Sequence, residues 1–459
     1  MSQYWKTVFA NDNDALVPEI WAQEALMILE ANMVAANLVY RDFENEIAQY
    51  GDTVNAHRPG TFTAKRKVDG DNVTVQDATA TNVPVKLDQH LHVSFLIYDG
   101  EESKSFKDLV ELYLRPALIA QAMGLDQVVL GQVYEFLGNT VGKLGTDPDA
   151  DTVIAANEVM NTNRAPVVGR NMIVTPNAEG ALLSETEFTK VNESGDTAGL
   201  RDARLGRKFN FDFFMSQNCP SVAVGSTINA AGDINAGNLT IGSTVLTMHG
   251  ITGTYTPLAG MWCTIAGDMT PQLITSVTGG STPTSITITP GLRHDIADGA
   301  IITFYTNGVI NQAVSPTGYA LGWNKNIVHT GPAVAPKTGQ LISMGVDGYK
   351  YAAMSTPTTT QTLLNRSLDA AVANAAVMGI GPAGEYCFGF HRNAMALVVR
   401  PLAAPRAGTG ALSYVANYNG LSVRVTITYD GNAQGHLVTV DLLAGVKTLD
   451  TNLGVIMFA

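Results

Sequence analysis

Two glycine-containing segments are the first places where this sequence could bind a nucleotide. GIGPAG, with Gly379, Gly381 and Gly384, has the glycine spacing of a dinucleotide-binding turn. However, an alanine-rich stretch precedes it where a strand is required, and strand-like residues follow where a helix is required. We interpret it as a left-handed helix stop followed by a turn. GNTVGKL at 138–144 has too short a glycine spacing for a phosphate loop, and Leu144 stands where Ser or Thr should bind magnesium. It is interpreted as a loop that ends a helix.

Histidine and cysteine residues are the other candidates for chemistry. His90 and His92 share one face of a predicted strand and could ligate a metal ion, but no third ligand lies near them in sequence. Cys219, Cys263 and Cys387 are odd in number and far apart, so they predict neither a disulfide framework nor a metal site, and a reducing compartment fits best. No HExxH or GxSxG motif occurs. We therefore expect no catalytic, cofactor or metal site and no enzyme, although a site assembled only in space stays open.

Two clusters of basic residues could contact a partner. One lies toward the tip of a predicted hairpin and the other in a polar loop: Lys65, Arg66 and Lys67, then Arg201, Arg204, Arg207 and Lys208. Solvated charge that maintains solubility is one interpretation. The other is contact with acidic surfaces of neighbouring copies, because an acidic protein that assembles on itself needs cationic contacts against its own repulsion.

Composition limits the classes of function. The 459 residues are 46% hydrophobic and only 15% charged, which indicates buried interfaces, and the net charge of -13 repels polyphosphate. Sequence-specific nucleic-acid binding is therefore disfavoured, whereas an acidic wall would let packed DNA slide without adhering. No apolar stretch approaches the ~18 residues of a membrane span, and the first residues, which are charged and have no long apolar run, predict no standard signal peptide.

The N-terminal half predicts elongated elements. Residues 1–17 are typical of an arm, with Trp5 and Phe9 as candidate anchors, and Pro18 opens a helix that extends to about residue 40. Odd positions from 83 to 97 are apolar except Gln89, and most even positions are polar, which predicts one long strand, the second half of a hairpin over 51–98. A ribbon of ~50 Å is barely stable alone. We therefore expect it to lie across a neighbouring subunit.

A second elongated element follows the hairpin. Apolar residues at helical spacing predict a helix over 105–137 with its cap near Ser103 or Ser105. Pro116 within it removes a backbone donor and predicts a bend. Helix and hairpin together suit a flat tile with a projecting arm.

Mixed α/β segments follow: DTVIAANEVMN at 151–161 predicts a helix, NMIVTP at 171–176 a buried strand and NAEGALL at 177–183 a short helix. They surround a stretch of different composition. Residues 221–340 contain three Lys or Arg, four Asp and no Glu, and their short alternating segments predict an inserted all-β barrel or sandwich. From residue 341 the α/β character resumes, with a predicted helix in LLNRSLDAAVANAAVMG at 363–379 and strands beyond it.

This order of elements resembles the Hong Kong 97-type capsid fold of tailed double-stranded-DNA bacteriophages, in the branch with an inserted domain typified by phage P twenty-two. The matching segments are LVPEIWAQEALMILEANMVAANLVYRDFENEIAQYGDTVNAHRP, YLRPALIAQAMGLDQVVLG, FHRNAMALVVRPL, LSVRVTITYD and VDLLAGVKTLDTNLGVIM. The expected fold class is α+β, divided as follows: N-terminal arm and helix 1–45, extended hairpin loop 46–100, spine helix 101–140, axial-type α/β domain 141–220 and 341–395, inserted β-barrel 221–340, and peripheral-type strands 396–459.

The resemblance implies a major capsid protein. Its copies would form the hexamers and pentamers of an icosahedral virion shell, assembled in the host cytoplasm around packaged DNA with a scaffolding protein and a portal protein. Residues 18–40 would contact the scaffolding protein, the loops around 190–215 would face capsomer centres, and no cofactor or membrane is implied. Alternatives are a carbohydrate-binding tail component, a compartment shell of the same fold, and an enzyme.

Overall fold

The computed structural model of the chain describes residues 18–41, 52–58, 64–70, 72–73, 75–76, 81–100, 110–190, 201–222, 228–235, 237–249, 257–279, 283–310, 318–330, 332, 334–354, 357–406, 410–418 and 420–459. The predicted arm anchors Trp5 and Phe9 and the predicted helix cap at Ser103 or Ser105 lie outside these residues. Helices and strands are mixed along the described chain, and one set of six strands closes into a barrel. The predicted α+β class is confirmed.

Two helices begin the described chain. α1 spans Pro18–Asn32 and α2 spans Ala35–Leu38. Trp21, Ala25 and Leu29 are fully buried along one face of α1, at the spacing of four residues that aligns side chains on a helix. The predicted helix is confirmed, but it is interrupted between α1 and α2.

A helical rod runs from Val110 to Phe136 and changes type twice. A π-helical segment, Val110–Leu114, leads into α3, Arg115–Leu130, and then into a 3-10 helix, Gly131–Phe136. Pro116 lies in the first turn of α3, immediately after the π-helical segment. Proline lacks an N–H, and its ring crowds the carbonyl four residues earlier. A wider helical turn before Pro116 reduces this steric clash and accommodates the missing hydrogen bond. The bend predicted at Pro116 stays a prediction.

The predicted long strand is wrong as a single element. β1, Thr53–Arg58, pairs antiparallel with β2, Thr81–Lys86, but β3, Gln89–Tyr98, leaves this ribbon and joins another sheet of the same subunit. The break falls at Leu87 and Asp88, which are both buried. Apolar residues keep the same parity on both sides of the break, so alternation alone could not reveal it.

A five-stranded sheet receives β3. Its other strands are β22, Met395–Arg400; β23, Leu412–Tyr418; β24, Leu421–Asp430; and β25, Gly435–Thr448. β25 pairs with β3 along one edge and with β24 and then β22 along the other. The sheet packs against α1 and the rod in one hydrophobic core.

A seven-stranded sheet forms the α/β core. Its strands are β4, Thr140–Val141; β5, Arg170–Val174; β6, Arg207–Lys208; β7, Phe211–Met215; β8, Ser221–Val222; β21, Gly384–His391; and β26, Gly454–Phe458. Three helices accompany it: α4, Ala150–Thr162; α5, Pro176–Ser184; and α6, Thr186–Thr189. The predicted helices at 151–161 and 177–183 and the strand at 171–176 are confirmed. Asp149 and Thr175 cap α4 and α5 by accepting hydrogen bonds from the backbone N–H of Thr152 and Ala178.

The first part of the insert is a six-stranded sheet with its own hydrophobic core. Its strands are β9, Ile228–Asp233; β10, Val245–Thr247; β11, Trp262–Ile265; β12, Gln272–Thr278; β13, Ser285–Thr289; and β14, Ile301–Tyr305. A bridge between Ile234 and Met248 joins its two outer strands, β9 and β10. We call this unit barrel one.

The second part of the insert is a closed barrel of six strands, called barrel two. Its strands are β15, Asn307–Ile310; β16, Ile327–Thr330; β17, Leu341–Met344; β18, Lys350–Met354; β19, Gln361–Leu364; and β20, Val377–Ile380. The helix predicted over 363–379 is therefore wrong, and so is the boundary at residue 340. Hydrogen-bonded pairing within the barrel overrides the helix propensity of the alanine-rich stretch.

Gly379 of the GIGPAG segment allows the two barrels to touch, because a Cβ there would overlap the carbonyl oxygen of Gly260 in barrel one. Gly381 packs within barrel two, where a Cβ would lie 2.6 Å from the Leu341 side chain. Ser343 Oγ also donates a hydrogen bond to the Gly260 carbonyl, at 3.1 Å. Gly379 is a strand residue, so the predicted helix stop is wrong, and the segment makes close packing contacts.

Candidate subunit-contact surfaces

The far end of the ribbon carries the first basic cluster. Residues 64–70, including Lys65, Arg66 and Lys67, are all exposed. Beside them the apolar side chains of Val68, Val73 and Val75 are 60%, 72% and 85% exposed. We call the three cations and three valines the ribbon-tip surface: Lys65, Arg66, Lys67, Val68, Val73 and Val75. Apolar and cationic side chains stand together there without cover from the described part of the subunit.

The root of the ribbon, in contrast, is fixed to the subunit. Val85 and Leu87 are buried against strands of the five-stranded sheet. The carboxylate of Asp88 accepts a hydrogen bond from the backbone N–H of Ser367 in barrel two, at 2.6 Å. Lys86 Nζ donates to the Gly322 carbonyl at 3.4 Å. The ribbon is therefore anchored at one end and exposed at the other.

A buried guanidinium connects barrel two to the rod. Arg366 is 5% exposed; its Nη1 donates to Gln132 Oε1 at 2.7 Å, and its Nη2 pairs with the carboxylate of Glu135. Its Nε donates to Asp369 Oδ2 at 2.8 Å, and the ring of Tyr351 lies 4.8 Å from the guanidinium carbon. Two carboxylates and one aromatic face thus compensate for the buried charge.

Lys447 extends this network to the five-stranded sheet. Its Nζ donates to Asp369 Oδ1 at 2.9 Å, beside a cleft of about 310 Å³. Burial alone would raise the pKa of Asp369, but the positive charges of Arg366 and Lys447 hold it below its ordinary value. The rod, barrel two and the sheet therefore meet at one ion-pair network. Its members are distant in sequence and form no motif, so sequence reasoning missed them all.

His90 and His92 lie side by side, and His90 contacts a carboxylate that an arginine also binds. Their rings lie 5.9 Å apart, and His90 Nε2 lies 3.2 Å from Asp441 Oδ2. The same carboxylate is held by Arg424, whose Nε donates to Asp441 Oδ1 at 2.9 Å. Within the described residues, no group of three or more His, Cys, Asp or Glu side chains is placed to hold a metal ion.

The second basic cluster lies before β7 and is partly neutralised inside the subunit. Arg201 pairs with Asp202 at 3.0 Å. Arg207 lies 3.9 Å from Asp212, whereas Arg204 is exposed. Lys208 is half-buried in β6. Since exposed ion pairs contribute little, these contacts leave the cluster able to meet a partner.

A groove between α1 and β23 is a further candidate contact surface. It measures about 730 Å³ and is lined by Gln23, Leu26, Met27 and Glu30 of the helix and by 414–418 of the strand. Met27 and Tyr418 are largely exposed within it. Neither the composition nor the periodicity of the sequence predicted this groove.

None of the described helices is long and apolar enough to cross a membrane.

The second glycine segment, 138–144, follows the 3-10 helix and contributes Thr140 and Val141 to the edge of the core sheet, parallel to β26.

Comparison with known proteins finds likeness at the level of solved structures. The sequence matches no protein-family model and no curated protein. The chain is similar to a structure from Mycobacterium phage Che8, with 14% identity, a TM-score of 0.42, and coverage of 93% of this chain and 90% of that one. It is also similar to the capsid of the cyanophage P-SCSP1u, with 10% identity, a TM-score of 0.43, and coverage of 93% and 88%. A third similar structure is the capsid of Staphylococcus phage Andhra, with 7% identity, a TM-score of 0.37, and coverage of 92% of this chain and 84% of that one.

Proposed function

We propose that the chain is the major capsid protein of a tailed double-stranded-DNA bacteriophage, with a Hong Kong 97-type fold. Copies of it would form hexamers and pentamers and close an icosahedral shell. The observation that carries this proposal is the ribbon, anchored by Asp88 at its root and exposing three valines beside three cations at its tip. Burying these exposed apolar side chains against another molecule lowers the free energy, which favours association.

Several finer features belong to the same proposal. Residues 18–40 would contact a scaffolding protein in the procapsid, and the loops around 190–215 would face capsomer centres. A portal protein would occupy one vertex, and DNA would be packed without sequence readout, since the net charge of -13 disfavours adhesion to phosphates. Assembly would take place in the host cytoplasm and mating between subunits would be noncovalent.

The rod supplies an element that could move when the shell expands. Its π-helical, α-helical and 3-10 segments meet at Leu114–Arg115 and at Leu130–Gly131, and packed helices commonly shift between two discrete arrangements. We expect the rod and ribbon to change orientation between particles before and after DNA packaging. Superimposable rods and ribbons in the two particles would contradict this part of the proposal.

Electron microscopy of the expressed chain, with and without a co-expressed scaffolding protein, tests the function. Closed shells of uniform size are expected. Fibres would favour the tail-component alternative, and monomers that persist in both conditions would overturn the proposal. Shells that enclose protein cargo and never DNA in infected cells would favour a compartment shell of the same fold.

A further inference from the structure

Segment 365–369 of barrel two contacts three separate parts of the subunit. It directly follows β19, and its first four residues are buried. Arg366 reaches the rod, and the backbone N–H of Ser367 donates to Asp88 at the root of the ribbon. Asp369 pairs with a lysine of the five-stranded sheet. Five consecutive residues thus join the insert to the rod, the ribbon and the sheet.

Other contacts fix the same segment to barrel two. The backbone N–H of Asn365 donates to the Ala352 carbonyl at 3.0 Å, and Asn365 Oδ1 accepts a hydrogen bond from the Ala352 N–H, also at 3.0 Å. Leu368 packs in the core of the barrel, and its backbone N–H donates to the Trp323 carbonyl at 2.9 Å. The residues that hold the segment in the barrel are therefore interspersed with those that contact the other elements, so the segment moves with the barrel.

Two polar side chains at the root of the ribbon reach this part of barrel two. Asp88 is 7% exposed, and its Oδ2 accepts the hydrogen bond from the Ser367 N–H at 2.6 Å. Lys86 Nζ donates to the Gly322 carbonyl, and the Gly322 N–H donates in turn to the Leu368 carbonyl at 2.8 Å. Because Asp88 lies between β2 of the ribbon and β3 of the five-stranded sheet, the chain passes from one to the other at a carboxylate that barrel two holds.

The rod packs closely against the other side of this contact. A Cβ at Gly131, where the 3-10 part of the rod begins, would lie 2.6 Å from Asn365 Nδ2. Gln132 and Glu135, in the same 3-10 helix, accept hydrogen bonds from Arg366. Since packed interiors transmit displacements, a shift of the rod would displace the segment and, with it, the hydrogen bond to Asp88.

We infer that barrel two sets the direction in which the ribbon leaves the subunit, with Asp88 as the positioning residue and segment 365–369 as the joint to the rod. A two-stranded ribbon is barely stable alone, so its orientation depends on its root. The six residues of β2 span ~20 Å, so a rotation of roughly 10° at the root displaces their far end by about 3 Å. That this directs the ribbon-tip surface to a neighbouring copy rests on the proposed function, whereas the positioning is a property of the isolated subunit.

Amide hydrogen exchange of the purified full-length subunit, measured by mass spectrometry, tests the inference. Asp88→Ala removes the acceptor of the Ser367 N–H, and the amides of β1 and β2 should then exchange about tenfold faster, as expected for loss of a hydrogen bond to a charged group. Asp88→Asn keeps an oxygen that can accept this bond and should retain most of the protection. Asp347→Ala, at an exposed position of barrel two, is the matched control and should exchange like the unchanged chain.

Arg366 tests the joint, because its side chain contacts the rod and barrel two. Arg366→Met should also accelerate exchange in β2, and combining it with Asp88→Ala should add little, since both act through the same segment. Additive effects of the two changes, acceleration by the same factor across the whole subunit, or unchanged ribbon amides in Asp88→Ala would each overturn the inference. These rates are measured on the isolated subunit and do not depend on whether it assembles.

Discussion

The carboxylate of Asp126 on α3 accepts a hydrogen bond from the backbone N–H of Val34, at 2.8 Å, and a second from that of Ala36, at 3.0 Å. These N–H groups lie where α1 has ended and α2 begins, so they lack partners within a helix. Burial raises the pKa of Asp126, and the backbone hydrogen bonds counter that effect. A side chain of the rod therefore stabilises the break between α1 and α2.

Replacing Asp126 with alanine should loosen α1 and α2 from the rod. The N–H groups of Val34, half-buried, and of Ala36, buried, would lose their acceptor, and a buried group left without one typically costs about 1–3 kcal/mol. Urea unfolding of the isolated subunit should show a loss of free energy of unfolding in this range or above. Asp147→Ala, at an exposed position, is the control and should behave like the unchanged chain. Equal stability of both variants would contradict the assigned role.

Asp369 should make the stability of the subunit depend on pH in acid. The pKa of Asp369 is lower in the folded state than in the unfolded state. Its contribution to the free energy of unfolding is therefore fully present above the unfolded-state pKa, and it is lost as pH falls through the folded-state pKa. Asp369→Asn should be less stable than the unchanged chain near pH 7, and the difference should shrink below about pH 4. Thermal unfolding across this range measures it. A difference that is constant with pH, or the same dependence in the exposed Asp347→Asn control, would contradict it.

Removing the guanidinium of Arg366 should detach barrel two from the rod. Arg366→Met leaves Glu135 and Asp369 without their shared cation, and breaking a buried pair in this way typically costs about 3–5 kcal/mol. Limited proteolysis should cut the variant faster at the connections of barrel two. The exposed Arg115→Met tests whether loss of an arginine charge alone has this effect, and indistinguishable digests would refute the role.

A methyl group at Gly379 should separate the two barrels. The Cβ of Gly379→Ala would overlap the Gly260 carbonyl oxygen and Ser343 Oγ, and strain of this kind typically costs about 1–3 kcal/mol. Gly180→Ala, in helix α5 with open space at its Cβ, should instead be neutral or stabilising. Differential scanning calorimetry distinguishes the two. A Gly379→Ala subunit as stable as the unchanged chain would show that the barrels can move apart without cost.

Reversing the charge of the ribbon tip should damage assembly without damaging folding. Lys65→Glu, Arg66→Glu and Lys67→Glu together place like charges against an acidic neighbour, and all three side chains are exposed, so folding should not change. Sedimentation should show soluble subunits and few shells. A control with the same change in net charge reverses the exposed Lys143, Lys325 and Lys337 and should assemble normally. Normal shells from the ribbon-tip variant would discard the contact.

Local patterns in the sequence were sufficient for most individual elements. Helical periodicity located α1 and the rod, and alternation located five of the six strands of barrel one, all but β9, and C-terminal strands such as β24. Turn residues separated these strands correctly. Each of these elements buries a face whose periodicity is written in consecutive residues, and no distant partner is needed to recognise it.

Features that depend on distant partners could not be predicted in the same way. The break at Asp88 exists because β2 pairs with β1 whereas β3 pairs with β25. The 363–379 stretch has the composition of a helix, but barrel two takes it as strand and loop. The network of Arg366 joins residues from three parts of the chain. Tertiary pairing decides each of these outcomes, and single-sequence propensity carries no information about it.

The adjacency of Val222 and Gly384 in one strand pair has a consequence for the evolution of such chains. Because the two ends of the insert lie side by side, a short hairpin turn could replace both barrels without cutting the core sheet. Related genes could therefore gain, lose or exchange this cassette, provided that a substitute supplied the contacts of Arg366 with the rod and of Ser367 with Asp88. Size variation among relatives should thus be concentrated between these two residues.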